Sequence, residues 1–242
     1  MDNASISAHP PVATREEWLA ARRELLAAEK AHTKEYDRIN AMRRRLPMVK
    51  VDKDYVFHDA TGAHTLFQLF DGKTQLIVQH FMFEPEWEKG CPGCTSFVDA
   101  LADLSSLESR DVRFVIVSIA PFEKLAAYRD LRGWNWPWYS SQGCDFNFDF
   151  GVTFDPARGS KEYNYKSTAE SPWLSKVEKP TELPGVSAFL RMGEEVYHTY
   201  STFQRGTENL VHSSALLDIT PYGRQEDFED SPPGWPQRPT YG

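Results

Sequence analysis

A chain of 242 residues, 40% hydrophobic and 13% aromatic, is long enough to bury one generous core or two small ones. Its net charge of −8 argues against nucleic acid as a main partner, because phosphate binding needs clustered Lys and Arg, and no apolar run reaches membrane-spanning length. The first residues lack the basic flank and apolar stretch of a secretory leader, and 3 cysteines are too few for a disulfide scaffold, so a reducing, cytoplasmic setting without membrane contact is expected.

Residues 1–13 read as a polar arm containing Pro10 and Pro11. Thr14 and Glu17 have capping-box spacing, and a helical pattern runs from there towards Leu46 before Pro47 stops it. Trp18, Leu25, Ile39 and Leu46 fall on a seven-residue grid that His32 and Glu35 interrupt. Such a helix approaches a length of about 50 Å. It needs a second surface, either a homodimer partner or, through a bend, its own domain.

From Asp52 the texture changes to short strands. "YVFHD" and "HTLFQLF" flank a turn at Ala60-Thr61-Gly62, and "QLIVQHFMF" reads as a strand buried on both faces. After Cys91 and Cys94, Phe97, Leu101, Leu104 and Leu107 recur at helical spacing. "VRFVIVSIA" is a second buried strand, and "FEKLAAYRDLRG" a helix with Gly133 as its C-cap. This alternation of strand and helix predicts parallel pairing with right-handed crossovers. Trp134, Trp136 and Trp138 then alternate like one face of a strand, as packing or as the wall of a groove. A polar, proline-punctuated insertion covers about 156–182. "VSAFLR" and "VYHTYSTF" form a hairpin, and "TENLVHSSALLDI" a final helix. The tail from Gly223 is too rich in Pro and Gly to predict as packed structure. The expected plan is an arm and long helix over 1–47, an α/β domain over 48–222 and a tail over 223–242.

The chemistry concentrates in Cys91-Pro92-Gly93-Cys94, at the end of a buried strand and the opening of a helix. With Cys91 at the N-cap and Pro92 at the first helical position, the free amides of the first turn and the helix dipole favour a Cys91 thiolate. Lys89 would lower the Cys91 pKa further, and Glu84, Glu86 and Glu88 would raise it, so the net shift is unsigned from sequence. Cys94, one turn in, is expected to be more buried and closer to an ordinary thiol. That asymmetry suits disulfide exchange, in which Cys91 attacks and Cys94 resolves. Half a zinc site is the alternative, with ligands drawn from His80, Cys144, His198 or His212, and inert thiols are a third. Cys144 reads as a buried apolar thiol or an auxiliary redox partner.

The buried strand, the "CPGC" pair, the "GWNWPWYSS…DFNFDFGV" stretch and the "TPYGR" ending resemble a bacterial thioredoxin-like family, domain of unknown function 899. Its members are labelled predicted dithiol-disulfide oxidoreductases. The resemblance runs from roughly Arg15 to Arg224. It implies an α/β thioredoxin-like fold, a central mixed sheet flanked by helices, here with an N-terminal helical arm and a long insertion before the C-terminal hairpin. It implies thiol–disulfide exchange with a disulfide-bearing protein or small thiol, and no organic cofactor or metal. Thioredoxins carry Gly-Pro between the cysteines, where this chain has Pro92-Gly93. Their cis-proline corresponds to Ser187, or to Pro184 three residues earlier, and their buried aspartate corresponds to His80, which could take a proton from Cys94. A peroxiredoxin-like thiol peroxidase is the second reading, although Glu88 stands where that branch has a threonine. A non-catalytic module that senses redox state or holds a metal is the third.

Overall fold

The computed structural model describes residues 8–239, so part of the expected arm and the last tail residues lie outside it. By contacts the chain divides into two units, Pro47–Val211 and the segments that flank it on either side.

In the flanking unit, helix α1 (Arg15–Arg43) starts at the predicted capping box: the Glu17 amide donates to Thr14 Oγ1 at 3.3 Å, and the Thr14 amide donates back to the Glu17 carboxylate at 2.8 Å. It stops short of Leu46, and none of its residues is buried. Trp18, Leu25 and Leu26 on the apolar stripe are exposed. No helix among the described residues is long and apolar enough to cross a membrane.

The Pro47–Val211 unit is built on an eight-stranded sheet. Its strands are β1 (Val49–Lys50), β2 (Val56–Asp59), β3 (Gly62–Thr65), β4 (Gln75–His80), β5 (Val112–Ser118) and β6 (Trp138–Ser140), followed after the short strands described below by β11 (Gly185–Met192) and β12 (Glu195–Phe203). Their order is β1-β12-β11-β4-β5-β6-β2-β3. β4, β5 and β6 run parallel, and β11 lies antiparallel against β4 and pairs with β12 as the predicted hairpin. The crossovers carry α2 (Pro92–Asp99), α3 (Ser105–Glu108) and α4 (Phe122–Arg132), and α5 (Phe146–Asp149) follows β6. A cysteine-bearing strand–helix unit between a parallel neighbour and an antiparallel hairpin is the thioredoxin-like arrangement, so the fold class expected from sequence is the one observed.

Alternation along β4 sorts its side chains onto two faces. Leu76 and Val78 join Phe57, Phe70, Val115, Phe146 and Phe189 in one core. Ile77 packs with Phe81, Phe97, Val98, Ile116, Leu125 and Trp138 in the other, under α2 and α4. A third cluster packs Tyr163 and Leu174 of the expected insertion against Val152, Phe154 and Phe203 on either side of it. That segment is not a plain loop: β7 (Thr153–Phe154) pairs with β10 (Thr181–Glu182), and β8 (Glu162–Tyr163) with β9 (Lys166–Ser167).

Three sequence expectations change. "HTLFQLF" continues only briefly as β3, then turns into a 3-10 helix over Gln68–Phe70, where Thr65 and Gln68 cap one another (Thr65 amide to Gln68 Oε1, 2.8 Å) and Leu66, Leu69 and Phe70 are buried at helical spacing. The apolar run after the cysteines is broken between α2 and α3, because Asp103 accepts from both the amide and hydroxyl of Ser105 at 2.8 Å and starts a new turn. The final helix is split as well. A 3-10 turn covers Gln204–Leu210, and α6 (His212–Leu217) has no buried residue and belongs to the flanking unit. By contacts the larger unit runs over Pro47–Val211. The tail is more ordered than its composition suggests: Tyr222 donates to the Ala8 carbonyl at 2.8 Å and packs edge-on against Trp235.

Candidate active site

β4 ends at His80, and an excursion over residues 81–90 leads to Cys91. Five hydrogen bonds and one close packing contact fix this excursion. The Cys91 amide donates to the Met82 carbonyl at 3.0 Å. Lys124 of α4 donates to the carbonyls of Pro85 and Trp87, the latter at 2.8 Å. Thr95 Oγ1 donates to the Cys91 carbonyl at 2.9 Å and shares a hydrogen bond with the Tyr128 hydroxyl. Gly90 is buried flat against the Phe81 ring, where any Cβ would overlap it.

Cys91 is the N-cap of α2 and Pro92 its first residue, as the sequence predicts. Cys91 is half-buried and Cys94 is 5% exposed, both as free thiols. The influence of Cys94, with smaller contributions from the amides of Cys94 and Gly93, outweighs burial and brings the Cys91 pKa down to about 6. Cys94 moves the opposite way, held up by donating to Cys91 and by burial, against a weak contact from the Met82 amide at 3.5 Å. The sign left open in the sequence is therefore downward. The cause is hydrogen bonding within the first helical turn; neither Lys89 nor the flanking glutamates contribute.

His80 does not join the pair. It continues the alternation of Leu76 and Val78, stacks near Phe146 at 5.5 Å, and hydrogen-bonds Ser187 Oγ at 2.8 Å, all on the face opposite Cys94. The sheet itself separates them, so the expected proton transfer between His80 and Cys94 has no route through contact. Burial also drives the His80 pKa down to about 3 and keeps the ring neutral. Ser187 lies inside β11 on that same face, and Pro184 precedes the strand and accepts from the Tyr163 hydroxyl at 2.7 Å. No cis peptide bond occurs among the described residues, so neither of them reproduces the thioredoxin cis-proline.

The three tryptophans and Cys144 take part in packing. Trp134 and Trp138 pack against Phe81 and one another, with indole N–H groups donating to Asp99 and Ser118 at 2.9 and 3.0 Å, and only Trp138 lies in a strand. Trp136 sits edge-on to Phe114. Cys144 packs on the His80 side, against the other core, its pKa raised by burial. Among the described residues no group of three or more His, Cys, Asp or Glu side chains could hold a metal ion.

One feature near the cysteine loop escapes a sequence reading. Glu182, 4% exposed, accepts from Asn147 Nδ2 at 2.6 Å and from Thr153, while its amide donates to the Glu84 carboxylate at 3.2 Å. Burial raises its pKa to about 7, and the neighbouring Glu84 charge adds to the shift. It falls in the segment that reads as a polar loop, and no local pattern marks it.

A model of the family described as "Bacterial protein of unknown function (DUF899)" matches residues 7–241. No curated protein sequence matches the chain. Among solved structures, peroxidoxin BcpB from Mycobacterium tuberculosis is 15% identical over 65% of this chain and 85% of that one, with a TM-score of 0.44. A peroxiredoxin Q from Xanthomonas campestris is 16% identical over 71% and 91%, at 0.42. One from Xylella fastidiosa is 11% identical over 71% and 94%, also at 0.42. The fold assignment rests on the strand order described above.

Proposed function

The chain belongs to the DUF899 family of bacterial proteins, and we propose that it is a thiol–disulfide oxidoreductase working through Cys91 and Cys94. The Cys91 thiolate attacks one sulfur of a partner disulfide, forming a mixed disulfide and releasing the partner's other sulfur as thiolate. Cys94 then gives up its proton and attacks Cys91 Sγ. An intramolecular disulfide forms, the second partner sulfur leaves, and the two electrons have passed from the cysteine pair to the partner. The arrangement that carries this reading is Cys91 at the N-cap of α2 with the more buried Cys94 one turn in and in the same packed cluster, the first thiol's pKa lowered and the second's raised. The partner is read as a disulfide-bearing protein or small thiol, in a cytoplasmic setting, and the exposed stripe of α1 as the seam of a homodimer. No arginine or other cation contributes to the Cys91 pKa, which leaves the thiol peroxidase reading without a specific support.

Insulin-disulfide reduction and peroxide consumption on one preparation test this. Disulfide reduction that Cys91→Ser abolishes and Cys94→Ser arrests as a mixed disulfide is the expected result. Peroxide turnover without disulfide exchange, or unchanged turnover in Cys91→Ser, overturns it.

A further inference from the structure

The face of the sheet turned away from the cysteines holds polar chemistry that thiol exchange does not use. His80 Nε2, Ser187 Oγ, Ser201 Oγ and His198 Nε2 form a chain of three hydrogen bonds, 2.8, 2.7 and 2.7 Å long. Burial lowers the pKa of both imidazoles. Two hydroxyl protons cannot serve three hydrogen bonds, so at least one of the two neutral rings donates into the chain. Buried polar chains of this kind are costly unless every member is satisfied, and His80 Nδ1 at the inner end has no partner among the described residues.

The outer end opens into a cavity of about 380 Å³, with His198 and Ser201 in its wall. That size is at the small end of ligand sites. Tyr55, Phe150, Tyr163, Tyr165 and Phe203 supply aromatic surface to the wall, beside Val49, Val51 and the carboxylates Asp52, Asp149 and Glu162. Its lysines are already engaged, Lys50 with Glu195 at 2.7 Å and Lys53 with Asp145 and Asp149 at 2.7 Å each, so they present no free cation to an anionic ligand. Tyr165 is held at a left-handed φ of 60°, a conformation costly for an aromatic residue, with its hydroxyl on the Ser201 carbonyl at 3.2 Å.

We propose that this cavity is a second site, distinct from the thiol centre, that binds a small, uncharged, planar aromatic molecule of one or two rings bearing a hydroxyl or carbonyl group. The aromatic walls stack on the ring, and the His198–Ser201 end of the chain hydrogen-bonds its polar group.

The test uses the full chain and 2-naphthol, followed by its fluorescence and by ligand-observed NMR, with 2-naphthoate and benzyltrimethylammonium as the anionic and cationic comparisons. Saturable 2-naphthol binding is expected, at least tenfold tighter than either ion. It should weaken at least tenfold in Ser201→Ala and in Tyr165→Gly and stay unchanged in Cys91→Ser. Tyr165→Gly relieves the left-handed backbone as it removes the ring, and circular dichroism melting checks that the variant folds. Absence of saturable binding, binding indifferent to Tyr165→Gly, or preference for either ion overturns the proposal.

Discussion

At the residue scale, the first turn of α2 sets the reactivity of Cys91, and the dominant contributor is the Cys94 thiol itself. Alkylation of Cys91 by iodoacetamide should therefore follow an apparent pKa of about 6. In Cys94→Ala that value should climb towards the ordinary cysteine value of about 8.5, whereas Cys94→Ser, which keeps a hydroxyl donor, should climb less. Glu182 gives a second prediction. Its folded pKa of about 7 lies above its unfolded one, so the native state holds the proton more tightly. The contribution is whole below the unfolded pKa of about 4.3, and stability is lost as pH rises from there through 7, by on the order of 3 kcal/mol. Chemical denaturation at pH 5 and pH 8 should show this difference shrinking in Glu182→Gln. The N-cap placement of Cys91 was legible because N-cap, proline and thiol spacing are local. The place of His80 was not, because counting along a strand does not say which face its neighbours occupy until both cores are known.

At the scale of elements, the excursion from β4 to α2 has little freedom: Lys124 ties its middle, and Gly90 seats its end against Phe81. Gly90→Ala should cost about 1–3 kcal/mol through overpacking. It should also slow Cys91 alkylation, since the Phe81 ring or the loop must move; a variant with wild-type melting and wild-type alkylation would contradict this. Strands and helices with strong periodicity were readable in advance, among them β4, β5, α4 with Gly133 at its C-cap, and the β11–β12 hairpin. The sequence misled where short-range side-chain capping overrode hydrophobic spacing. Thr65 with Gln68 turned a strand into a 3-10 helix, and Asp103 with Ser105 cut one apolar helix in two. The insertion hid its own small core because Tyr163, Leu174 and Phe203 lie far apart in the chain and meet only after folding.

At the scale of the whole molecule, both cores and the inserted cluster fall within Pro47–Val211. A chain trimmed to Pro47–Val211 should fold cooperatively and keep the low Cys91 pKa; circular dichroism melting and the alkylation profile would check both. The contact between Cys91 and Cys94 also bears on survival under oxidant. When an oxygen atom is added to Cys91, the sulfenic acid forms within reach of Cys94, which expels water to close the disulfide. No helix has to unwind first, as it would if the second sulfur were remote. The irreversible step to sulfinic acid therefore competes with a ring closure already poised, and the pair is protected by its own proximity.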